Sequence, residues 1–140
     1  MKEVVLISCV SKKLPHKAPA GELYTSDLFK KNFAYAKRLK PDAIYILSAK
    51  YGLLGLDEEV ETYNQTLNTM SAREVEAWAK KVLMQLGVVS DIKKDKFVFL
   101  AGERYRKYLV PHMVHTGVPM RGLGIGKQLQ FLKLAVKSKT

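Results

Sequence analysis

Between residues 47 and 64 the chain gathers more reactive side chains than a connection needs. The stretch holds Leu47-Ser48-Ala49-Lys50-Tyr51-Gly52-Leu53-Leu54, four acids within Asp57 to Glu61, and Tyr63-Asn64. Lys50 can hold a phosphate or stabilise negative charge developing on a substrate. Tyr51 and Tyr63 offer rings on which a base can stack. Asp57 or Glu61 can orient or deprotonate a water. Asp57, Lys50 and Glu61 are therefore the candidate catalytic residues, with Ser48, Gly52 and Asn64 beside them as candidate substrate contacts. The competing reading is a solvated acidic turn in which Gly52 and Gly55 only permit unusual backbone angles.

Three further stretches carry chemistry. Ser8-Cys9-Val10-Ser11-Lys12-Lys13, with Leu23-Tyr24-Thr25-Ser26 beyond a loop, brings hydroxyls and ammoniums near the start of a helix, where free N–H groups favour phosphate. Ser8, Cys9, Lys12, Lys13, Tyr24 and Ser26 are candidate binding residues, although Ser26 also reads as a plain N-cap and Cys9 as a small buried filler. No histidine lies near Cys9 in sequence to make it a nucleophile. In Ala101 to Tyr108, Gly102 lets a ligand approach the backbone, and Arg104, Arg106 and Lys107 are interleaved with Tyr105 and Tyr108 as in nucleic-acid contact surfaces. The glycine-rich run from Arg121 to Gln128 precedes a helix and can cradle a phosphate with its amides. Arg121 and Lys127 thus join Arg104, Arg106 and Lys107 as candidates for a nucleic-acid backbone. The run is not a Walker A loop, because Gln128 stands where Ser or Thr is needed, and a flexible turn is the plainer reading. His112 and His115 have only His16 and Cys9 as further soft ligands, so neither a metal nor another cofactor is expected.

Positioning these residues calls for a parallel sheet. Apolar runs at 4–8, 43–48 and 96–101 alternate with helical periodicity, the pattern of βαβ units. In such sheets ligands bind past the C-terminal strand ends, where the loops after all three runs converge. The spacing predicts a helix from Ser26 to about Leu39, with Phe29, Phe33, Ala36 and Leu39 inward and Lys30, Lys31, Lys37 and Arg38 as a basic stripe. A second helix opens on a capping box of Ser71 and Glu74. Val75, Trp78, Ala79, Val82, Leu83 and Leu86 form its inner face, and Gly87 is expected to end it. Trp78 reads as core rather than as a stacking platform. A short helix follows near Glu103 to Leu109, Met113 to Val118 is a candidate strand, and a last helix runs from about Gly126 to Val136 before a fraying lysine-rich tail. The expectation is one α/β domain over residues 1–140, with three αβα layers around a mostly parallel sheet of about four strands.

The composition, 47% apolar and 26% charged over 140 residues, suits one folded core and argues against disorder. No apolar stretch approaches the roughly 18 residues that a membrane-spanning helix needs. The start, Met1-Lys2-Glu3, runs directly into Val4 to Ile7 with no secretory pattern, and the lone Cys9 has no disulfide partner, so a cytoplasmic protein is expected. The formal charge of +11 is unevenly spread. Residues 12–40 carry eight Lys or Arg against two acids and residues 102–140 eight against one, whereas residues 41–76 carry two against seven. A basic body around an acidic loop points to nucleic acid or nucleotide as partner rather than to a membrane.

Taken together, Ser8-Cys9, Lys12-Lys13, Leu23 to Phe29, Leu47 to Leu54, Tyr63 to Leu67, Leu100-Ala101-Gly102 and Tyr105 identify the chain as a member of a family of short prokaryotic and phage proteins of unknown function. The shared pattern covers most of the chain. Two remoter resemblances bear on activity. Cys9, Lys13, Tyr24 and Ser26 loosely follow the order of a motif in the catalytic domain of archaeosine synthase, with ten residues between Lys13 and Tyr24 and with Phe29 or Lys30 near the place of the motif's histidine. The Tyr51-Gly52-Leu53-Leu54 turn with a following aspartate and tyrosine is similar to one in the peroxide-stress YaaA family, which is linked to DNA binding. Both likenesses imply a nucleobase or DNA context, and the archaeosine synthase domain implies a fold related to uracil-DNA glycosylases; the expectation is a glycosylase-like hydrolase acting on a modified base in nucleic acid or nucleotide. The alternative is a non-catalytic DNA-binding or accessory module.

Overall fold

The computed structural model describes residues 1–8 and 12–137, so Cys9 and the end of the lysine-rich tail lie outside the described residues. In chain order the elements are β1 (Glu3–Ser8), β2 (Ala18–Pro19), α1 (Ala20–Leu23), α2 (Asp27–Arg38), β3 (Ala43–Ser48), β4 (Gly52–Gly55) and β5 (Glu59–Val60). There follow α3 (Ala72–Val89), β6 (Lys96–Leu100), α4 (Glu103–Arg106), β7 (His115–Gly117) and α5 (Ile125–Lys137). The main sheet has the order β4-β3-β1-β6-β7 and is parallel throughout except for β4 against β3. β2 and β5 form a separate antiparallel pair.

This is the expected α/β architecture, with one more strand than the pattern suggested. Val4 to Ile7 of β1 are all buried, which explains why the strand reads as an unbroken apolar run and not as an alternation. β4 escaped notice because Gly-Leu-Leu-Gly is too short to show a period. It folds back on β3 through Ala49-Lys50-Tyr51, pairing Ser48 with Gly52.

The helices follow their signals closely. The Ser26 hydroxyl accepts the Phe29 N–H and caps α2. Ser71 and Glu74 form the reciprocal capping box of α3, with Val75, Trp78, Ala79, Val82 and Leu86 buried. α3 nevertheless runs on through Gly87. It stops where Ser90 turns extended and both its N–H and its hydroxyl close the Leu86 carbonyl. Among the described residues no helix is long and apolar enough to cross a membrane.

From β1 the chain passes to β3 on one side, and from the β3–β4 hairpin it passes to β6 on the other. Right-handed crossovers in opposite directions put α2 and α3 on opposite faces of the sheet. α5 joins α2, with Tyr35 and Phe131 in edge contact at 5.7 Å between centroids. From β6 the chain moves on to β7, away from β1, so the connections leaving β1 and β6 diverge and a gap between them opens at the C-terminal ends of these strands.

Two carboxylates pin the opposite edge. Asp42 accepts the Glu3 N–H at 2.7 Å, and buried Asp95 accepts the N–H groups of Lys2 and Asp91, each at 2.8 Å. These backbone hydrogen bonds, from Asp91 first and then Lys2, hold the Asp95 carboxyl below the usual range. A lowered folded-state pKa gives stability that is complete above about pH 4 and drains away as pH falls through the lowered value. Asp95→Asn is therefore expected to flatten the acid limb of the stability curve, read as urea midpoints from neutral to strongly acidic pH. An unchanged limb would assign the acid sensitivity to other carboxylates.

Candidate functional site

The Lys50 hairpin is built by its own polar groups. The Ser48 hydroxyl accepts the N–H groups of Lys50 and Tyr51 and closes the turn. Gln85 of α3 then clamps it, accepting the Leu53 N–H at 2.8 Å and donating to the Tyr51 carbonyl at 3.3 Å. Gly52 sits under that amide at φ +79, and a Cβ there would come within 2.4 Å of the Gln85 oxygen. The backbone angle thus favours glycine, and a Cβ there would push the Gln85 amide out of its clamp.

Below the hairpin lies a chain of hydroxyls. Ser48 donates to the Tyr63 hydroxyl at 2.8 Å, and the Tyr63 and Tyr24 hydroxyls share a hydrogen bond at 2.6 Å, with all three residues buried. The Lys13 ammonium lies 4.5 Å from the Tyr63 ring centroid and 5.8 Å from that of Tyr24. Tyr51 meets Tyr63 edge-on at 5.6 Å, and the exposed Lys50 ammonium lies 5.3 Å from the Tyr51 ring. Four residues named from sequence, Lys13, Tyr24, Ser48 and Tyr63, do come together here.

A separate cleft of about 450 Å³ occupies the gap between the crossovers. Its floor is Ser8 at the end of β1 and Phe99, Leu100 and Ala101 at the end of β6, and its walls come from α2, α4 and the 118–128 segment. Pockets of this volume hold small organic ligands. Trp78 links cleft and hydroxyl chain: its indole N–H donates to the Ser48 carbonyl at 2.8 Å, and its ring meets the Tyr105 ring edge-on at 5.6 Å. Tyr105 in turn lines the cleft.

Asn32 is the unusual group in the lining. It is only 4% exposed, yet its Oδ1 has no hydrogen-bond partner among the described residues. An unmatched buried acceptor costs about 1–3 kcal/mol. Sequence reading passed over it, although the signal was present, because a lone Asn falls on the apolar stripe of Phe29, Phe33 and Ala36. Glu103, Asn68 and Gln128 also line the cleft without having been singled out as site residues. Gln128 anchors the last wall by donating to the Leu123 carbonyl at 2.8 Å, and Gly122 turns that segment at φ +81.

The remaining candidates divide by location. Ser8, Gly102, Arg104, Tyr105 and Arg106 line the cleft. Arg104 also clamps the turn at 67–70 by donating to the Leu67 and Met70 carbonyls, and Arg106 donates to the Ala101 carbonyl. Arg121 and Lys107, with Arg106 again, line an adjoining surface recess. Asp57, Glu61, Asn64 and Lys12 are exposed and outside the cleft lining, as is Lys127, while Ser26 serves as the α2 cap. The Lys50 hairpin and the acidic stretch are therefore not the floor of the cleft. Tyr63→Phe, which leaves the Ser48 and Tyr24 hydroxyls without their shared partner, is expected to lower unfolding free energy by about 1–3 kcal/mol in urea titrations.

No curated protein and no solved structure matches the chain, so the likenesses to archaeosine synthase and to the YaaA family rest on their motifs alone. Residues 4–134, which hold the sheet and everything built on its C-terminal edge, match the family of unknown function DUF6884, and the chain belongs to that family.

Proposed function

We propose that the protein is a nucleobase-directed enzyme of the glycosylase type and that the base enters the cleft between the ends of β1 and β6. Asn32 carries this reading. An asparagine amide offers an acceptor beside a donor, and a nucleobase edge offers the complementary pair. The buried Oδ1 lacks a hydrogen-bond partner among the described residues, and in this reading a base N–H supplies one. Apolar surface from Leu28, Phe99, Val118 and Leu123 suits the faces of a flat ring.

Glu103 is an exposed carboxylate in the cleft lining, and in this reading the sugar of a bound nucleotide lies beside it. In this reading Glu103 takes a proton from a water as the water oxygen bonds to the sugar C1′. The bond from C1′ to the base nitrogen breaks, and the base leaves with the electron pair and picks up a proton. The work that sequence spacing suggested for Asp57 and Lys50 passes to Glu103, and the ring beside the base is Tyr105. The motif likeness to the archaeosine synthase catalytic domain supports a nucleobase as the ligand.

The test is incubation with DNA and RNA pools carrying modified bases, followed by mass spectrometry of released bases. Glu103→Gln is expected to bind normally and to lose release by about 10²–10⁴-fold. Asn32→Leu is expected to fold with equal or higher stability, since it removes an unmatched acceptor, and to lose the rise in Tm that the base gives the parent protein. Release of no base from any pool, with the Asn32-dependent rise in Tm intact, would reduce the protein to a binding module. Loss of neither effect in the two variants would remove the cleft from consideration.

A further inference from the structure

The cleft does not end at Glu103. A second recess of about 410 Å³ adjoins it, sharing Glu103, Arg106 and Gly122 and adding Lys107, Pro111 and Arg121. Its charged lining is three cations and one acid. Arg106 is fixed at the seam by its bond to the Ala101 carbonyl, which leaves the rest of the guanidinium for a ligand. Lys107 is exposed, with its ammonium 5.6 Å from the Tyr108 ring. Arg121 arrives from the other side on the turn that Gly122 makes possible at φ +81.

We infer that the substrate is a base within a single-stranded polynucleotide, with its flanking phosphates on this shelf. The inference rests on the base-binding reading of the cleft. A lone phosphate is best held by an enclosed cradle, whereas this shelf is shallow and as large as the base cleft, and its cations come from two separate segments. Such a surface suits a backbone that runs through it. A base that must reach Asn32 beneath the sheet edge also has to leave any duplex stack, which favours single strands.

The experiment is fluorescence anisotropy with a labelled single strand of about ten nucleotides, as DNA and as RNA, competed by the matching nucleoside and its monophosphate. The oligonucleotide is expected to bind at least about tenfold tighter than the monophosphate, with log affinity falling against log salt by about 0.7 per phosphate neutralised. In the Lys107→Ala/Arg121→Ala protein, the advantage over the monophosphate should vanish and the slope shrink by about 1.4, while nucleoside binding persists. A monophosphate that binds as tightly as the strand, a duplex or a polyglutamate peptide that competes equally well, or an unchanged slope in the double variant would overturn the inference. Strand binding that needs Lys107 and Arg121 but ignores Asn32→Leu would keep the shelf and sink the base reading. Nucleoside binding through Asn32 with no gain from the strand would do the reverse.

Discussion

A parallel strand cannot hand over to its neighbour by a tight turn, so the chain must leave β1 and β6 at the same edge of the sheet and travel back through a helix. Because β1 hands over to β3 on one side and β6 hands over to β7 on the other, the chain departs in opposite directions from these two neighbouring strands. The sheet is then left uncovered at one place, above the ends of β1 and β6. Loops from α2, α4 and α5 surround that opening without filling it, and the cleft follows from strand order before any side chain is considered.

Two kinds of polar group sit at this edge, and they behave oppositely. Ser48, Tyr63 and Tyr24 satisfy one another in a buried chain, and Trp78 ties the adjoining carbonyl into α3. Networks of that kind fix one arrangement of the surrounding backbone, because any slip leaves several groups unmatched together. Among the described residues the Asn32 Oδ1 belongs to no such network. The contrast separates groups that position the edge from a buried group, in a residue lining the cleft, whose acceptor is unmatched.

Much of the scaffold was legible in the sequence, and for identifiable reasons. β1, β3 and β6 carry dense apolar runs, and α3 announced itself by Ser71 and Glu74 at capping-box spacing. The candidate site was harder to read. The density of Lys50, Tyr51 and Gly52 suggested ligand chemistry, but Ser48 and Gly52 are demanded by the hairpin itself, through the turn hydrogen bonds and the approach of Gln85. Residue type alone cannot separate a side chain that serves its own turn from one that serves a ligand. Asn32 shows the converse failure, since a polar residue on an apolar stripe looks like noise until its buried Oδ1 proves to have no partner among the described residues. Gly87 misled for a simpler reason: a glycine in an exposed helical turn lowers helix propensity by about 1 kcal/mol, too little to break a helix already anchored by Trp78 and Val82.

The pinning of Lys2 by Asp95 and of Glu3 by Asp42 fixes the direction in which the amino-terminal end points. It emerges at the sheet edge farthest from the cleft, with Met1 largely open to solvent. α5, by contrast, begins in the cleft wall and carries the carboxyl-terminal end along the face shared with α2. Surface attachment, labels and fused partners joined ahead of Met1 therefore leave the cleft clear.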